Sequence, residues 1–68
     1  MSKQQFIDRI LKEFSGLLVY TLNNGDVQVV DIVSGYEVTY YCIDSVSGKD
    51  WAPEYNSIVA NLKAMRKQ

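Results

Sequence analysis

The sequence predicts an α+β domain of order αβββα, a three-stranded antiparallel meander with two helices packed on one face. Three observations carry that expectation. Apolar residues recur at helical spacing near the two ends of the chain, at Phe6, Ile7, Ile10, Leu11 and Phe14 and again at Tyr55, Ile58, Val59, Leu62 and Met65. Between them, "LLVYTL", "VQVVDIV" and "YEVTYYCI" are rich in β-branched and aromatic residues, the composition of strands. The first two of these segments are separated by "NNGD", in which Asn24-Gly25 favours the positive φ angles of a two-residue type I′ hairpin turn.

The first helix opens on Ser2, followed three residues later by Gln5, a capping box, and its apolar run ends at Ser15-Gly16. The strands follow, the second and third joined at a candidate turn, Ser34-Gly35. "DSVSGKD" reads as a polar loop. In the second helix, Pro53 suits the first turn, where a missing N–H costs nothing, and Lys63, Arg66 and Lys67 suit the negative C-terminal end. No linker or internal repeat interrupts this order, so residues 1–68 form a single small domain. That length lies near the lower limit for a core that lacks disulfides or metal, and association is expected to add to its stability.

The two turns set a register, because directly opposed residues of an antiparallel pair share a face. A turn centred on Asn24-Gly25 pairs Tyr20 with Val29 and Val19 with Val30. A turn centred on Ser34-Gly35 pairs Asp31 with Val38 and Val29 with Tyr40. Leu18, Tyr20, Leu22, Val27, Val29, Val33, Val38, Tyr40 and Cys42 then face the helices, with Asp31 as the one charge among them. The opposite face mixes Thr21, Gln28, Glu37 and Thr39 with an apolar centre of Val19, Val30, Ile32 and Tyr41, flanked by Leu17 and Ile43. Such a cluster open to water marks an interaction surface. One helix on each face is the alternative, and it leaves no surplus.

Charge and composition narrow the function. The net charge is −1, with +1 over residues 1–16, −4 over 17–51 and +2 over 52–68. No concentrated basic stripe is present, which disfavours nucleic-acid binding; the mildly basic helices, through Lys3, Arg9, Lys12, Lys63, Arg66 and Lys67, are the alternative should such binding occur. The absence of histidine removes the commonest general base and metal ligand. Cys42 reads as a small buried hydrophobe, Asp31 as a carboxylate paired with water or with a cation such as Lys12 or Arg9, and the Asp44–Asp50 loop departs from the ligand spacing of calcium loops. No enzyme, cofactor or metal site is therefore expected. A single cysteine, and no apolar run near the roughly 18 residues of a membrane span, point to a cytoplasmic protein without membrane insertion.

The αβββα order is similar to that of the double-stranded-RNA-binding domain, which also sets two helices on one face of a three-stranded sheet. That family reads RNA with a long loop between its first two strands and a lysine cluster opening its last helix. Here those places hold Asn24-Gly25 and "APEYNS", so the resemblance implies the fold and carries no RNA-binding residue over. The expected function is a non-enzymatic protein–protein interaction module that homodimerises or binds a host protein through Leu17, Val19, Val30, Ile32, Tyr41 and Ile43. Very short, histidine-free chains of this kind are often encoded by phages and mobile elements as inhibitors or modulators of host machinery.

Overall fold

The computed structural model describes residues 1–41 and 48–67. Its elements follow the expected order: α1 (Lys3–Glu13), β1 (Leu17–Thr21), β2 (Val27–Asp31), β3 (Glu37–Tyr40) and α2 (Ala52–Arg66). The strands form an open antiparallel sheet in the order β1-β2-β3. Cys42, Ile43 and residues 44–47 of the polar loop lie outside the described residues.

Helix α1 begins as its first residues dictate. The Ser2 hydroxyl accepts the Gln5 N–H at 3.1 Å and the Gln5 side chain accepts the Ser2 N–H at 2.8 Å, so two otherwise orphaned donors are satisfied reciprocally. Helix α2 starts without a side-chain cap on Trp51; instead the Asp50 carboxylate, one residue earlier, accepts the Ala52 N–H at 3.0 Å. The helices and one face of the sheet meet in a single core of Phe6, Ile10, Leu17, Val27, Val29, Trp51, Tyr55, Ile58 and Leu62. Tyr40 packs against this core and forms an aromatic cluster with Phe6 and Trp51, with ring centroids 5.2–6.1 Å apart.

The first hairpin departs from the expected register by one residue. Leu17 pairs with Asp31, Val19 with Val29 and Thr21 with Val27. The loop is three residues long, not two. The Leu22 N–H donates to the Asp26 carbonyl at 2.8 Å, the Gly25 N–H donates to the Leu22 carbonyl at 2.9 Å, and Gly25 alone takes a positive φ, 92°. This is a turn followed by a glycine bulge, in which Asn24 needs no left-handed backbone. Its side chain serves the loop instead, accepting the Asp26 N–H and donating to the Asp26 carboxylate.

A slip of one residue exchanges the two faces of a strand. Leu17 and Val19, expected on the open face, therefore turn inward: Leu17 is buried and Val19 packs against the core. Leu18 and Tyr20, expected in the core, point to the open side. The second hairpin is displaced by two residues, Val29 pairing with Val38 and Val27 with Tyr40, and a shift of two leaves the faces of β2 and β3 as expected. Its loop runs from Ile32 to Gly35, because Asp31 organises it. The Asp31 carboxylate accepts the Val33 N–H at 3.1 Å and the Ser34 hydroxyl at 2.7 Å, while the Asp31 backbone N–H donates to the Tyr36 carbonyl.

Candidate protein-binding face

With both helices on one side of the sheet, β2 alternates between covered and open positions. Val27, Val29 and Asp31 are buried; Gln28 and Val30 are only half-buried. Opposite Val30 stand Leu18 on β1 and Glu37 on β3; opposite Gln28 stand Tyr20 and Thr39. The face is thus graded. Its β1 side is apolar, continued by Leu22 beyond the strand end, and its β3 side is polar.

Leu18, Tyr20 and Leu22 on this face are between 41% and 48% exposed, and Ile32 and Tyr41, just beyond the ends of β2 and β3, are 64% and 66% exposed. Of the six residues expected at the interface, Val30 lies on the open face, Ile32 and Tyr41 are exposed just beyond the ends of β2 and β3, Leu17 and Val19 belong to the covered side, and Ile43 falls outside the described residues. Leu18, Tyr20 and Leu22 are the positions that the sequence reading placed in the core. The signal that separates the two assignments is the loop length at residues 23–25, since both β1 faces are apolar and their composition cannot distinguish inside from outside.

Asp31 is 1% exposed, and its partner is neither Lys12 nor Arg9. Arg66, at the last turn of α2, reaches back with Nε 3.0 Å from Oδ2 and Nη2 2.8 Å from Oδ1, a bidentate pair. Nη2 also donates to the Ser15 carbonyl at 2.6 Å, and the guanidinium lies over the Phe14 ring. The Arg66 hydrogen bonds hold the Asp31 carboxyl well below the usual carboxylate range; burial opposes them, and the Ser34 and Val33 donors add to the lowering. An ionised, fully engaged carboxylate of this kind ties the α1–β1 junction, the β2–β3 turn and the end of α2 together. It is not poised to accept a proton from a substrate.

Two other cations of the helices, Arg9 and Lys3, are also engaged within the chain. Arg9 stacks over the Tyr55 ring, with its guanidinium carbon 4.6 Å from the centroid, and Lys3 donates to the Gly25 carbonyl at 3.2 Å. Among the described residues, no group of three or more His, Cys, Asp or Glu side chains could hold a metal ion, and no helix is long and apolar enough to cross a membrane. No protein-family profile matches the chain, and neither a curated protein nor a solved structure matches it.

Proposed function

We propose that the chain is a non-enzymatic protein-interaction module, and that its open sheet face is the surface through which it associates, first of all with a second copy of itself. The observation that carries this reading is the exposed row Leu18, Tyr20 and Leu22 beside Val30, on a sheet whose other face is sealed by two helices. Burying such side chains removes apolar area from water at about 25 cal/mol per Å². A domain this short gains more from that than a larger one, since its own core covers a smaller fraction of the chain.

The mode of action is occupancy. A module of this kind inhibits or modulates a partner by covering part of its surface, and the lack of histidine in the sequence supports that over catalysis. The reading includes a cytoplasmic setting, supported by the single cysteine. Sedimentation velocity over a concentration series tests the self-association. The wild type is expected to dimerise, and Tyr20→Lys to stay monomeric with an unchanged circular-dichroism spectrum. A wild type that remains monomeric at millimolar concentration refutes the homodimer.

A further inference from the structure

The order β1-β2-β3 makes β1 an edge strand, and its backbone states which groups that edge offers. In an antiparallel pair, residues alternate between those that direct N–H and C=O at the neighbouring strand and those that direct both away. Leu22 bonds to Asp26 across the hairpin and Gly16 accepts from Ile32, so the even-numbered residues between them, Leu18 and Tyr20, use their backbone groups on β2. Leu17, Val19 and Thr21 direct theirs outward. Leu17 is buried, but Val19 is half-buried and Thr21 exposed, so the part of the edge left open by the described residues is centred on Tyr20.

Proteins usually protect such an edge with a charge, a proline or an inward-pointing lysine. From Ser15 to Gly25 there is no charged residue and no proline. Resting on the self-association proposed above, we infer that the second copy joins edge to edge, the two β1 strands pairing antiparallel about a two-fold axis at Tyr20 to give one six-stranded sheet.

The register follows from self-complementarity. With the axis at Tyr20, the outward groups of Val19 meet those of Thr21 of the second copy, and the symmetric pair repeats this. On the open face Tyr20 then stands beside Tyr20 of the second copy, flanked on each side by Leu18 against Leu22. Leu18, Tyr20 and Leu22, which are 44%, 48% and 41% exposed, cover one another in a single apolar row, with no like charges opposed. Centring the axis on Val19 instead draws on the buried Leu17 and sets Leu22 against Gly16. Centring it on Thr21 sets Val19 against Asn23, inside the loop.

Tyr20 and its symmetry mate form a non-hydrogen-bonded pair, with Cα atoms roughly 4.5 Å apart, close enough for a disulfide. In a Cys42→Ser background, Tyr20→Cys is therefore expected to give a covalent dimer under mild oxidation, while Val30→Cys, one strand further in, gives no covalent dimer. Independently, Thr21→Pro deletes an outward N–H from each copy without touching the β2 ladder, and is expected to weaken dimerisation roughly tenfold or more while the fold persists. A dimer that cross-links through Val30→Cys and not Tyr20→Cys, or that tolerates Thr21→Pro, overturns the edge pairing and leaves self-association standing. A wild type that is monomeric throughout overturns both.

Discussion

Asp31→Asn is the substitution that most directly tests how this small fold is held together. The side chain is 1% exposed and receives four hydrogen bonds, two from Arg66 and one each from Val33 and Ser34. Asparagine keeps the shape and one acceptor, so the turn can retain the Val33 contact, but an amide N–H₂ then opposes a guanidinium and the arginine loses its counter-charge. Removing one partner of a buried pair costs about 3–5 kcal/mol. Arg66 keeps the Ser15 carbonyl and is partly in water, which places the cost at the lower end, about 3 kcal/mol. At 0.05–0.15 kcal/mol per residue, a chain of this length has about 3–10 kcal/mol in all, so the variant sits at or near the edge of folding. With a urea slope of about 1 kcal/mol/M, the unfolding midpoint falls by about 3 M at pH 7. The pH dependence carries an independent signature. Because the folded Asp31 titrates below its ordinary value of 3.8, its stabilisation is fully present above that pH and is lost progressively as the pH falls from there through the lower folded value. The gap between wild type and Asp31→Asn should close steadily from about pH 4 towards pH 2. A midpoint shift under about 1 M, or a gap that does not narrow in acid, refutes the account of Asp31 as an ionised clamp.

Tyr40 lies in the aromatic cluster with its hydroxyl buried and without a hydrogen-bond partner among the described residues, so Tyr40→Phe is expected to raise stability by up to about 1 kcal/mol, read from chemical denaturation. Burial pushes the Tyr40 hydroxyl up to about 12, so wild-type stability is present below pH 10 and declines as the pH rises towards 12; Tyr40→Phe should remove that part of the alkaline decline. Gly16 has a φ of 78° and a Cβ there falls 2.8 Å from Val33 Cγ2, whereas a Cβ on Gly35, at φ 82°, meets nothing within 4 Å. Both alanine variants carry the left-handed strain of about 1 kcal/mol, and Gly16→Ala should melt several degrees below Gly35→Ala because of the added clash.

The elements were legible in the sequence because each is announced locally. The Ser2–Gln5 capping box, the spacing of Phe6 and Ile10, and the spacing of Tyr55, Ile58 and Leu62 all depend on neighbours within a turn or two. Registration was legible only to within the loop chemistry. "NNGD" suits a two-residue type I′ turn and a three-residue bulged turn alike, and the choice rests on whether Asn24 takes a left-handed backbone or spends its side chain on Asp26. The Ser34-Gly35 turn was overruled by Asp31, which gathers Val33 and Ser34 around its carboxylate. That role depends on Arg66, 35 residues away, and no local pattern marks the pairing. Hence Val30 could be placed on the open face while Leu17 and Val19 could not.

The reversal of β1 changes the geometry of association more than its existence. Leu17, Leu18, Val19, Tyr20 and Leu22 are all apolar or aromatic, so either register leaves a hydrophobic set outside. In the expected register that set is centred on β2, at Val30 and Ile32, and favours two sheets meeting face to face. In the observed register it follows the edge strand, where side chains and unpaired backbone groups lie together. An edge contact can satisfy both at once; a face-to-face contact covers the side chains and leaves the Val19 and Thr21 backbone to water. Val30→Asp and Tyr20→Lys separate the two. Each places a charge on the same open face, but only Tyr20 lies on the proposed two-fold, so Val30→Asp should leave the sedimentation coefficient at the dimer value while Tyr20→Lys reduces it to that of the monomer.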